Sequence, residues 1–180
     1  MTTAQEYNNV MVVDSKSLST GIALLAIKAR QLANQNLTLP AIYQKVCELV
    51  PKVQASFVVK KLDYLRKGGR CSALAYLGAN LLSIRPQIMV KEGSLGVHKK
   101  YVGKMEKVIS TYCSDVLKEF PNPDKSVAFL TYTTASDEMI ANAKQALMDK
   151  VFEHIYETKA GATIASHCGE NTLGILFLNE

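Results

Sequence analysis

Apolar positions along the chain alternate between short continuous runs and helical periods, and that alternation sets the expected order of elements. Residues 10–13 are β-branched or apolar and lead into Asp14-Ser15-Lys16-Ser17. This is the pattern of a doubly buried strand that enters a loop at the carboxyl edge of a sheet. Ser19 or Thr20 then caps a helix over 22–33, where Ile22, Leu24, Leu25, Ile27 and Leu32 are padded with alanines and only Lys28 and Arg30 bring charge. A helix apolar on most sides is buried on most sides, so it calls for more protein around it than a surface helix does. A second helix is capped by Thr38, has Pro40 in its first turn, repeats Ile42, Val46, Leu49 and Val53 at helical spacing, and is interrupted near its end by Pro51.

A strand over 56–59 runs into a short helix over 62–67 and the pair Gly68-Gly69, followed by Arg70 and a helix over 72–82. Residues 84–102 change to period two around Glu92-Gly93, which predicts an antiparallel hairpin. Val108, Ile109, Tyr112 and Val116 mark a helix that ends before Pro121-Asn122-Pro123. A strand over 127–133 follows. Ser136 then caps a helix with Asp137 and Glu138 in its first turn, and Ile140, Ala143, Leu147 and Val151 point inward. Strands are expected over 153–158 and 162–166, then His167-Cys168-Gly169-Glu170-Asn171-Thr172 and a last apolar run, 174–178. The later part reads as α/β, with a mixed, mainly antiparallel sheet flanked by helices. Residues 1–55, one strand and two helices, offer too little sheet to cover their own apolar helix. They read as the tail of an incomplete first α/β domain, and 56–180 as the second.

Composition narrows function less than pattern does. With 180 residues, 48% hydrophobic and 21% charged, the chain can bury a real core in one or two domains. No run is long and apolar enough for a membrane span, and the first nine residues lack a basic region followed by an apolar one. A cytoplasmic protein is therefore expected. Cys47, Cys71, Cys113 and Cys168 form no C-x-x-C pair, so neither a zinc site nor a redox motif is indicated. A net charge of +5 admits nucleic acid, anionic lipid and small anions as partners. The cations cluster at Lys60 and Lys61, at Arg66, Lys67 and Arg70, and at Lys99, Lys100 and Lys104, without interleaved aromatic stacking platforms.

Gly68-Gly69 has two readings. It is a helix stop with Arg66 and Lys67 near the negative end of the dipole, or a turn that projects the planar fork of Arg70 toward a carboxylate or phosphate. His167, before a glycine turn, reads as a structural histidine or as a donor facing a ligand. A nucleophile-base pair of His167 and Cys168 is disfavoured, because successive side chains on an extended backbone point apart. His98 and His154 lack acidic or thiol neighbours at metal-ligand spacing. Asp14 and Ser15 at a strand end suit a polar contact with a ligand head group. No complete catalytic set emerges, and neither glycine loop resembles a phosphate-binding loop.

Taken in order, Val12-Val13-Asp14-Ser15 with Ser19-Thr20-Gly21, Phe57-Val58-Val59 leading into Leu62 through Arg70, Ile84-Arg85-Pro86, and His167-Cys168-Gly169-Glu170-Asn171-Thr172-Leu173-Gly174-Ile175 resemble the DegV family from about position 7 to the end. The resemblance implies a bacterial lipid carrier of two domains that holds one long-chain fatty acid between them. Such a carrier presents the carboxylate to a partner fatty-acid kinase, which makes the acyl phosphate for phospholipid precursor metabolism. On this reading the chain is a binding subunit rather than an enzyme and uses no cofactor. Arg70 and His167 fall near the carboxylate, with Ser15 and Thr172 as further ligand contacts. The family's leading segment, with its Thr and Ser motifs, is expected to be missing here, so residues 1–55 would pack imperfectly or against a second copy. Transient membrane contact is allowed. The alternative is a nucleic-acid-binding protein using the basic groups at 60–70 and 99–107, which the resemblance does not favour.

Overall fold

Short runs in which successive residues are all apolar decide the layering. In a strand such residues alternate between faces, so a run like 173–178 requires cover on both sides of its sheet. The computed structural model describes residues 3–70 and 84–180. Among them, β1 (Val53–Val58), β2 (Ile84–Lys91), β3 (Ser94–Val102), β4 (Pro123–Tyr132), β5 (His154–Lys159) and β6 (Leu173–Asn179) form one sheet in the order β3-β2-β1-β6-β4-β5. Every pairing is antiparallel except β4 with β5. The expected helix over 72–82 lies outside the described residues.

Leu173, Ile175 and Phe177 of β6 and Ala128 and Leu130 of β4 face a core closed by α4 (Met105–Glu119) and α5 (Asp137–Asp149). Val108, Ile109, Tyr112 and Val116 of α4 and Met139, Ala143 and Leu147 of α5 fill it. The intervening residues Leu176, Leu178, Val127 and Phe129 face the opposite side, where α1 (Thr20–Asn34), paired with α2 (Leu39–Leu49), supplies Leu24. Beside them, α3 (Asp63–Lys67) and α6 (Ala162–Cys168) cover Phe57, Val59 and Ile88 through Leu65 and Cys168. The result is a three-layer α/β arrangement with a mixed, mainly antiparallel sheet, the class expected from the sequence. Tyr112 stitches the layers: its hydroxyl donates to the Ser56 carbonyl at 2.8 Å and accepts from the Ile175 amide at 3.1 Å.

Two elements differ from expectation, and so do two single positions: Val53, expected on the second helix, begins β1, and Val151, expected to point inward, lies beyond the end of α5 and is 66% exposed. Residues 10–13 form no strand; Val10, Met11 and Val12 are 45%, 42% and 43% exposed. Their β-propensity has no neighbouring strand to bond, and propensity without pairing does not make a strand. Residues 162–166 are helical, because Ile164 and Cys168, four apart, both face the sheet. Of the helices in the first 55 residues, α1 lies on the sheet, with Leu24 and Leu25 buried and Ile22 on the outer side 48% exposed, and α2 packs against α1. A division between residues 55 and 56 would cut through β1.

Candidate functional site

The glycine turn after α3 is a helix stop of defined form. The Gly69 amide donates to the Arg66 carbonyl and the Arg70 amide to the Leu65 carbonyl, both at 3.0 Å. These are the two bonds of a Schellman motif, and Gly69 occupies its left-handed position at φ 66°. Gly68 has an ordinary right-handed conformation, φ −76°. Its missing side chain serves a different purpose. A Cβ there would overlap Nδ1 of His167 and come within 2.7 Å of Cε1. The sequence reading gave both glycines the same task, whereas only one bends the chain and the other makes room for a ring.

His167 stands in the last turn of α6, not after a strand. Nδ1 is buried and has no hydrogen-bond partner among the described residues. Arg70 is exposed, and its guanidinium donates to the carbonyl of Gly68 at 3.0 Å. Arg70 and His167 therefore both touch Gly68, although 97 positions separate them in the chain. A reciprocal contact lies beside this one. Gly169, at φ 75° and ψ −175°, sits under the ring of Tyr64, where a Cβ would come within 2.6 Å of Cε2 and 2.9 Å of Cγ. Lys60 and Glu170 close the junction with an ion pair at 2.9 Å.

Behind α6 an apolar cavity of about 30 Å³ lies on the sheet, walled by Leu18, Phe57, Ile164, Cys168, Thr172 and Leu176. That volume holds about one water molecule, so the cavity marks a seam between α6 and the loop that enters α1 rather than an open tunnel. The hydroxyls of its threonines Thr131, Thr133 and Thr172 are engaged. Thr172 Oγ1 donates to the Cys168 carbonyl at 3.0 Å, Thr133 Oγ1 to the Gly169 carbonyl at 2.6 Å, and Thr131 Oγ1 pairs with those of Thr20 and Thr158. The seam as it stands suits hydrocarbon. Residues 167 and 168 are helical, so the expected divergence of side chains on an extended backbone does not apply. Burial instead pushes the Cys168 thiol up to about 11, which leaves it protonated at neutral pH and disfavours the nucleophile reading.

Ser15 is bonded within its own loop, giving to the Ser17 carbonyl at 3.4 Å and taking from the Ser17 amide at 3.3 Å. The other end of that loop, Leu18 and Ser19, walls the seam. Ser19 takes φ 50° and ψ −134° and makes no side-chain cap bond to α1, so its backbone is held in a sparsely populated conformation. The geometry thus joins His167 to the Arg70 turn, puts Thr172 on the seam, and leaves Ser15 in the adjoining loop. Phe57, Thr131 and Ile164 were visible in the sequence only as apolar or strand positions. Nothing in a one-dimensional pattern says that they meet. Among the described residues no three His, Cys, Asp or Glu side chains gather as a metal site, and no helix is long and apolar enough to cross a membrane.

The family model described as "Uncharacterised protein, DegV family" matches residues 1–180. The chain belongs to the DegV family. A DegV domain-containing protein of Clostridium acetobutylicum is 27% identical over 175 residues, which are 97% of this chain and 61% of that protein. This DegV chain thus spans about three-fifths of that relative's length. A Thermus thermophilus structure described as fatty acid binding of a DegV family protein superposes with a TM-score of 0.83 at 28% identity, covering 98% of this chain and 64% of that one. The Streptococcus pneumoniae Fatty Acid Kinase (Fak) B3 protein loaded with linoleic acid shares the fold, with a TM-score of 0.79 at 20% identity over 94% of this chain and 60% of its own.

Proposed function

We propose that this DegV chain takes part in holding a long-chain fatty acid in the seam between α6 and the loop that enters α1, with the carboxylate toward His167 and the Gly68-to-Arg70 turn. The observation that carries the reading is the meeting of Arg70 and His167 on Gly68 beside an apolar seam. An arginine fork and an imidazole are donors suited to a carboxylate, and each methylene removed from water contributes about 0.8 kcal/mol. The Thermus relative, described as binding a fatty acid, supports the same ligand class. For a whole acyl chain to enter, the seam must widen beyond its present volume, with α1 and its entry loop moving away from α6.

In this reading Ser15 and Thr172 contribute from the loop and from the turn after α6 once that widening occurs. Residues 1–55 act as the tail of a first α/β domain and residues 56–180 as the second, with the boundary inside β1. A partner fatty-acid kinase phosphorylates the presented carboxylate to an acyl phosphate in the cytoplasm, and the chain itself supplies no catalytic group. Mass spectrometry of organic extracts of the purified chain tests the reading. Retained or added oleic acid should be recovered in amounts comparable to the protein, and far less from an Arg70→Ala, His167→Ala double variant. Recovery of no fatty acid from this chain, while the Thermus relative treated identically retains one, would overturn it.

A further inference from the structure

The reciprocal ring-on-glycine contacts between α3 and α6 assign a role to a residue that does not wall the seam. Tyr64 projects from α3 onto Gly169, while His167, two residues before Gly169, projects back onto Gly68, four residues after Tyr64. Each ring occupies the space that the other segment leaves by having no side chain. Residues 167–170 are therefore clasped at successive points: His167 on Gly68, Cys168 in the core with Leu65, Gly169 under Tyr64, and Glu170 on Lys60. Gly169 also carries the strain of the junction, since φ 75° with ψ −175° is open essentially to glycine alone.

The clasp is connected to the seam by hydrogen bonds. The carbonyl of Gly169 accepts from Thr133 Oγ1 at 2.6 Å, and the same hydroxyl accepts from the Thr172 amide at 3.3 Å. Thr133 and Thr172 both wall the seam, as does Cys168. We propose that Tyr64 is a positioning residue of the ligand site: by seating its ring on Gly169 it fixes the His167 imidazole and the α6 wall of the seam in register with the Arg70 turn. This deepens the fatty-acid reading and rests on it for the identity of the ligand. The ring of Tyr64, not its hydroxyl, does the positioning. Tyr64 is 43% exposed, so replacing it removes no part of the main core.

The test compares Tyr64→Phe, Tyr64→Ala and Gly169→Ala, using oleic acid as the probe and the His167 ring resonances as the second readout. Tyr64→Phe should bind as the parent does and leave the imidazole signals in place. Tyr64→Ala should lose affinity about tenfold or more, as expected when a binding group is misplaced by a fraction of an ångström, and should shift the His167 resonances. Gly169→Ala should displace the ring and reproduce both effects. A Tyr64→Phe variant as defective as Tyr64→Ala, or a Tyr64→Ala variant with unchanged His167 resonances, overturns the proposal. If the parent chain binds no oleic acid, the fatty-acid reading fails, and the clasp is then decided in the ligand-free protein by whether Tyr64→Ala moves the imidazole signals and Tyr64→Phe does not.

Discussion

Gly68 and Gly69 are neighbours with the same side chain, and the structure gives them different physical jobs that substitution separates. At Gly69 an alanine meets open space and bears only the cost of a left-handed backbone, about 1 kcal/mol. At Gly68 an alanine meets the His167 ring and should cost more, roughly 1–3 kcal/mol, as overpacking does. Chemical denaturation of the two variants checks the order, and His167 ring resonances should move only for Gly68→Ala. Cys168 gives a second prediction at this scale. With its thiol buried and pushed up to about 11, it should react with a thiol reagent at neutral pH only as fast as the surrounding structure opens. Half-buried Cys47 should react before Cys168. Mass-mapped labelling at pH 7 distinguishes the two, and rapid labelling of Cys168 in the folded protein would contradict the burial. Of this residue chemistry, the sequence displayed the motif letters. It hid the division of labour between the glycines, because that depends on a ring 99 positions away from Gly68.

Helix ends separate what local sequence decides from what packing decides. Ser136 accepts the Met139 amide at 3.3 Å and caps α5 as its position before Asp137 and Glu138 suggested. Thr38, the expected cap of α2, makes no side-chain cap bond. Ser136→Ala should therefore cost about 1 kcal/mol and Thr38→Ala a few tenths, measured as differences in unfolding free energy. Equal losses would show that the bond at Ser136 contributes nothing. Residues 10–13 and 162–166 show why two elements were misread. The first has strand residues without a strand partner, and the second has a short apolar run that periodicity alone cannot assign to strand or helix. The hairpin of β2 and β3 was legible, since alternation and Glu92-Gly93 are local signals, with both turn residues at positive φ.

Across the whole molecule, charge pairs tie separate elements together and make stability depend on pH. Asp124 at the start of β4 is driven up by burial and more strongly down by the Lys28 ammonium of α1 and by Ser126, so its carboxyl titrates below its ordinary 3.8. Glu119 at the end of α4 is likewise raised by burial and lowered by hydrogen bonds from His98 and Lys99 of β3, to a value below 4.5. A carboxyl whose folded value is depressed adds stability that is fully present above its unfolded value and disappears as pH falls through the folded one. The stability that the two depressed carboxyls add should thus decline as pH falls below 4.5 and then 3.8. Replacing Asp124 with Asn should flatten that decline in a denaturation series over pH. An unchanged slope would remove the Lys28 pair as a link between α1 and the sheet.

The sequence by itself determined the class of fold, most of the element order and the motifs of the family, because burial on both faces of a strand, helical periods and turn residues are written locally. It also carried the letters of the proposed site. Tertiary structure alone decided that Arg70 and His167 share one glycine, that residues 10–13 stay unpaired, and that α1 lies on the sheet with α2 packed against it. Those outcomes depend on which surfaces meet. Contact between segments nearly a hundred residues apart is set by the packing of the whole core, to which no single stretch holds the key.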